Sequence, residues 1–108
     1  MSYRYMRVIV MFDLPTVTAN DGREYRKFRK FLIKTGFIMM QESVYSKLVL
    51  NANAAEAVIA NVRRNKPPAG IIQLLTVTEK QFSNIELVVG TIHKDVLDTT
   101  ERLVIIWD

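Results

Sequence analysis

The chain has no cysteine, so disulfides, thiolate metal sites and a cysteine nucleophile are excluded. Its single histidine, His93, excludes paired-histidine zinc motifs and follows an apolar stretch without a nucleophile elbow, so it reads as an ordinary surface or interface residue. Glycine occurs four times, never in the spacing of a phosphate-binding loop. The longest apolar run is five residues, far short of a bilayer span and of a signal-peptide core, which predicts a cytoplasmic location and no membrane partner. What these absences leave for chemistry is carboxylate together with a hard cation.

The 108 residues are 49% hydrophobic, enough for one domain with a packed core. Charge is uneven. Residues 1–66 carry 12 Lys/Arg against 5 Asp/Glu, whereas residues 67–108 carry 3 against 6. A basic body with an acidic tail predicts a polyanion as partner of the body.

Val8 to Phe12 is an uninterrupted apolar run that ends on Asp13 and Pro15. Such a run, stopped by a residue that cannot donate to a ladder, predicts a strand over 5–12 buried on both faces, with Asp13 held at its exit. A carboxylate there has two readings: ligand of a hard metal ion, or acceptor in an Asx turn. Asp21 and Glu24 have capping-box spacing, so helix 1 is expected from Asp21 to Thr35, with Gly36 as its stop. Tyr25, Phe28, Phe31 and Leu32 share one side of that helix, and Arg23, Arg26, Lys27, Lys30 and Lys34 share the other. Six of the fifteen basic residues lie between Arg23 and Lys34, with one acid among them. A merely solvated face mixes both signs; this one repels itself, which favours a phosphate-tracking surface.

Phe37–Met40 predicts a short strand and Ser43–Leu50 a longer alternating one. Asn53 and Glu56 suggest a second capping box opening helix 2, whose buried stripe is Ala55, Val58, Ile59 and Val62. Arg63, Arg64 and Lys66 crowd its end, where they either complement the helix dipole or touch phosphate. Ile71–Val77 reads as strand 4, Thr78–Gln81 as a single helical turn, Glu86–Val89 as a fifth short strand, and Leu103–Trp107 as a final apolar strand. The order β-α-β-β-α-β is the split βαβ of α+β ferredoxin-like sandwiches. Residues 1–80 would form that core and 81–108 an extension within one domain. The last strand finds no vacancy in a four-stranded sheet of its own, which predicts a homodimer with that strand exchanged onto the partner.

Three stretches resemble one family. Phe12-Asp13-Leu14-Pro15 follows a buried strand, Tyr25-Arg26-Lys27-Phe28-Arg29-Lys30-Phe31-Leu32 precedes Gly36-Phe37, and Gln41-Glu42-Ser43-Val44-Tyr45 opens strand 3. In this order, with the apolar C-terminal strand, they are similar to the second universal CRISPR-associated protein family. The resemblance implies a ferredoxin-like homodimer in which Asp13 faces its twin and the pair binds Mg²⁺ or Mn²⁺. It further implies metal-dependent endonuclease activity on RNA or double-stranded DNA. For adaptation, the resemblance implies a dimer that bridges two dimers of the spacer-acquisition integrase and supports a DNA duplex. Ser43 is either an orienting group for phosphate or water, or a turn residue. The competing reading is a toxin-like metal-dependent endoribonuclease acting alone, although helix 1 places its aromatics at core spacing rather than on an open platform.

Overall fold

The computed structural model describes residues 5–90. The expected strand Leu103–Trp107, the acidic stretch before it and His93 lie outside the described residues. The elements run β1 (Met6–Asp13), α1 (Ala19–Lys34), β2 (Ile38–Gln41), β3 (Val44–Val49), α2 (Ala52–Arg64), β4 (Ile71–Thr78) and α3 (Glu79–Phe82). The four strands form one sheet in the order β2-β3-β1-β4, antiparallel at every pairing. This is the expected α+β ferredoxin-like sandwich, with β1 central and α1 and α2 on one face. No helix among the described residues is long and apolar enough to cross a membrane.

The period of two in β1 sorts its residues cleanly. Val8, Val10 and Phe12 enter the core with Phe28 and Leu32 of α1, Ala55, Ile59 and Val62 of α2, and Tyr45 and Val49 of β3. Phe12 is the hub of its aromatics: Phe28 packs edge-on at 5.3 Å between centroids, and Tyr45 stacks at 5.7 Å. Tyr25 and Phe31 border the same cluster, so the apolar side expected for helix 1 is the one that packs.

Residues directly opposite in an antiparallel ladder share a face. Arg7, Ile9, Met11 and Asp13 therefore point away from the two helices, together with Val77, Leu75, Gln73 and Ile71 of β4 and Leu48, Ser46 and Val44 of β3. At one end of this second face α3 folds under the sheet. Arg7 and Glu79, both buried, form a two-pronged ion pair at 2.7 and 3.0 Å, and the Arg7 guanidinium lies 4.3 Å from the centre of the buried Phe82 ring. The Glu79 amide also donates to the Tyr5 carbonyl at 2.9 Å. At the other end Ile71 and Leu75 remain 60% and 48% exposed, so that part of the sheet is apolar and open.

Several boundaries differ from the sequence expectation. Helix 1 is capped by Thr18, not Asp21. The Thr18 hydroxyl accepts from the Asp21 amide and the Asp21 carboxylate accepts from the Thr18 amide, both at 3.0 Å, so Asp21 is the N3 partner of the capping box rather than its N-cap. Helix 2 begins one residue after Asn51, whose side chain accepts from Ala54 at 2.8 Å; Asn53 lies inside its first turn. Glu86–Val89 forms no strand, and Val88 and Val89 are 80% and 87% exposed. Gly36 ends helix 1 as expected, at φ +100°, where Phe37 donates back to Leu32 at 2.9 Å.

Candidate functional site at one end of the sheet

The topology gathers most of the chemistry at one end. β1 ends there on Asp13, opposite Ile71 at the start of β4. Helix α1 starts from that end, the β2–β3 turn closes there, and α2 runs back to it, finishing on Arg63 and Arg64.

Asp13 is the last residue of β1 rather than the first beyond it, and it is exposed on the face away from the helices. Its backbone is tightly fixed. A Cβ added to Gly70 would stand 2.8 Å from the Asp13 carbonyl oxygen and 2.7 Å from Leu14 Cδ2, and Gly70 has φ +102°. Glycine at 70 thus lets the turn before β4 close against β1. Leu14 is buried beside it, so the carboxylate projects from a rigid base.

Among the described residues no group of three or more Asp, Glu, His or Cys stands together to hold a metal ion. One carboxylate is a poor fit for Mg²⁺, which takes six oxygens in near-octahedral geometry. A single copy of this site therefore supplies one ligand, and completion requires waters, a phosphate oxygen or a second copy.

Ser43 lies in the two-residue turn between β2 and β3, outside the strand expected to begin with it. Its φ of +65° is left-handed, the only such value among the non-glycine residues described. Its carbonyl accepts from the Phe12 amide at 3.0 Å, extending the β1–β3 ladder to the residue beside Asp13. The backbone thus carries the turn role. Ser43→Gly is expected to leave thermal stability unchanged or to raise it by up to about 1 kcal/mol, because glycine adopts this conformation without the steric cost. If the cleavage that the family resemblance implies is retained in that variant, Ser43 belongs to the turn; cleavage lost at unchanged melting temperature would assign the hydroxyl to chemistry.

All five cations on the outer side of α1, Arg23, Arg26, Lys27, Lys30 and Lys34, are exposed. None is in an ion pair among the described residues, where the single salt bridge is Arg7–Glu79. Arg23 instead donates to Asn20 at 3.1 Å, and Arg26 lies across Gly22, whose absent side chain gives it room. From Arg23 to Lys34 the row extends about 16 Å along the helix. Arg63 and Arg64 are also exposed, and Arg63 and Lys66 line an open groove of about 320 Å³ floored by Val62, Ile72 and Leu74.

The structure therefore brings Asp13, Ser43, Arg63, Arg64 and the first turns of α1 to one end. It does not put the α1 cations and Asp13 on one face: the helix covers one side of the sheet and the carboxylate leaves from the other. Lys34 is at the far end of its helix. The Arg7–Glu79 pair has no counterpart in the sequence reading, which gave neither residue a role. The reciprocal alternation of β1 was the available signal, since residue 7 shares the face of 9, 11 and 13.

Residues 6–85 match the family model described as CRISPR associated protein Cas2. The chain is 50% identical over 101 residues to a Treponema denticola protein named CRISPR-associated endoribonuclease Cas2, covering 94% of this chain and all of that one. A Streptococcus mutans protein of the same name is 52% identical over 103 residues, covering 95% of this chain and 94% of the relative. A solved structure described as "Crystal structure of cas2" superposes with a TM-score of 0.56 over 83% of this chain and 92% of that one, at 20% identity, which speaks to the fold alone.

Proposed function

The chain belongs to the CRISPR-associated Cas2 family, and on that premise we propose that it is a metal-assisted endonuclease. We infer a homodimer that also serves spacer acquisition, bridging integrase dimers while its basic surfaces hold the backbone of a DNA duplex. The observation that carries the reading is the solitary exposed Asp13 at the rim of an apolar sheet face left open by Ile71 and Leu75. A second copy packed on that face buries the apolar residues and brings two carboxylates to one axis, because a two-fold interface pairs each residue with its own surroundings.

The residues fit a divalent ion only as such a pair, with water and a substrate phosphate completing the shell. Held there, Mg²⁺ or Mn²⁺ would polarise a phosphoryl oxygen and acidify a bound water. The chain's own part is to hold the Asp13 carboxylate on a rigid strand end, and to steer the polyanion with Arg63, Arg64 and the α1 cations. The same dimer turns both α1 helices outward, where a duplex can follow them by its phosphates.

The test is Asp13→Ala assayed on RNA and on double-stranded DNA with Mg²⁺ or Mn²⁺, in parallel with spacer acquisition in cells. The expected result is loss of all metal-dependent cleavage at unchanged folding, because the residue is exposed. Cleavage that survives would move the chemistry elsewhere on the protein. Acquisition that persists without cleavage would separate the architectural role from the enzymatic one. The second reading, an endoribonuclease acting alone, is favoured by the names of the relatives from T. denticola and S. mutans. It predicts cleavage of RNA only, by the dimer without the integrase.

A further inference from the structure

A second recess lies at the same end of the molecule, on the helix side of the sheet. Tyr25, Arg29, Met39, Glu42, Ser43 and Tyr45 line an open cleft of about 260 Å³. That is below the roughly 300 Å³ at which pockets for drug-sized ligands begin, and suits one flat ring system.

Its walls are built rather than incidental. Tyr45 is 1% exposed and its ring is stacked on Phe12, so its hydroxyl is a fixed point. Arg29 Nε donates to that hydroxyl at 2.9 Å. With Nε engaged, the planar guanidinium is oriented, and its two terminal nitrogens stay available in a set direction. Glu42 also lines the cleft, in the turn whose geometry Ser43 fixes at φ +65° and ties to Phe12. Arg29 and Glu42 border the same cleft, yet they form no ion pair. The half-buried Tyr25 and Met39 supply the cleft's apolar surfaces.

Two opposite charges that share a cleft without meeting select against a simple ion of either sign. An anion drawn to Arg29 is opposed by Glu42, and a cation by Arg29. The ligand that satisfies both carries acceptors and donors along one edge of a flat ring. Among the nucleobases, guanine alone presents two neighbouring N–H donors, N1 and N2, next to a carbonyl acceptor, O6. A carboxylate accepts the first two as a pair, and an arginine donates to the third. Such an edge is free only on an unpaired base.

We propose that this cleft is a subsite for one unpaired guanine, with Glu42 accepting from N1–H and N2–H, Arg29 donating to O6, and Tyr25 and Met39 against the ring. The proposal rests on the reading that the chain binds nucleic acid, and it adds a base preference to a surface otherwise made for phosphates. The ladder bond from Phe12 to the Ser43 carbonyl places the cleft one residue along β1 from Asp13, on the other face of the sheet from its carboxylate.

The experiment is binding without cleavage. Fluorescence anisotropy in EDTA compares end-labelled hexamers of adenosine with the same hexamers carrying one guanosine at the fourth position. Wild type is expected to bind the guanosine hexamer about tenfold more tightly, in the range of one good two-pronged base contact. In Glu42→Gln, exposed and outside the core, the ratio should fall below about threefold while the adenosine hexamer keeps its affinity within about twofold. Arg29→Lys, which retains the charge but loses the fork, should also lower the ratio. Equal binding of the two hexamers by wild type, or a preference that survives Glu42→Gln, overturns the guanine subsite and leaves the nuclease reading standing. Binding of neither hexamer overturns the subsite together with the RNA part of that reading.

Discussion

Arg7→Ala or Glu79→Ala is expected to lower the unfolding free energy by about 3–5 kcal/mol, the cost of stranding one charge of a buried pair. Both side chains are at most 5% exposed and both prongs of the pair are short. In Arg7→Ala the loss includes the contact between the guanidinium and the Phe82 ring. For a domain of this size it is a large part of the total, on the order of 5–15 kcal/mol. Urea denaturation followed by circular dichroism measures it. The paired change Arg7→Met with Glu79→Leu is expected to recover most of the stability, because an apolar pair of similar volume has no desolvation penalty. Single variants within about 1 kcal/mol of wild type would mean that α3 does not clamp the sheet as described.

Lys27→Glu combined with Lys30→Glu is expected to weaken duplex binding at least tenfold, with no dependence on sequence. Both residues are exposed on α1 and neither has an acidic partner among the described residues. The log–log dependence of affinity on salt should become shallower by about two units per protomer, as two phosphate contacts are lost. The thermal stability should hold, or rise slightly, as a self-repelling row is relieved. A titration of fluorescent duplex at several salt concentrations reads all of this. An unchanged slope would remove α1 from the interface and leave Arg63, Arg64 and Lys66 to carry it.

The fold was legible because its signals were local and agreed with one another. The Val8–Phe12 run gave a central strand, and the alternation of 3.6-period aromatics and cations gave both sides of α1. Gly36 gave that helix its end. The capping boxes were misplaced for a simple reason. Thr18 with Asp21 and Asp21 with Glu24 both have capping-box spacing, and which pair starts the helix depends on how the chain leaves β1, a tertiary matter. The strand expected over 86–89 rested on composition alone, since Glu86, Leu87, Val88 and Val89 have no alternation to place them on a face.

The site was legible in part. Asp13 was marked by its place between an apolar run and a proline, and Ser43 by its neighbours in the Gln41–Tyr45 motif. Their true relation was hidden: a backbone bond from Phe12 to Ser43, and a glycine, Gly70, far along the sequence but pressed against Asp13. The Arg7–Glu79 pair spans 72 residues of sequence, and no periodicity links its ends. The separation of the α1 cations from Asp13 by the thickness of the sheet follows from topology, which helical wheels do not contain.

The position of β1 has a consequence for how a ribosome makes this protein. The strand is the first to emerge, yet one of its two neighbours, β4, is the last strand among the described residues. About 65 residues separate Met6 from Ile71, which at roughly 5–20 residues per second is about 3–13 s of translation. Throughout that interval the most apolar segment of the nascent chain has one flank unzipped, and the buried arginine within it waits for a counter-charge that has not yet been synthesised.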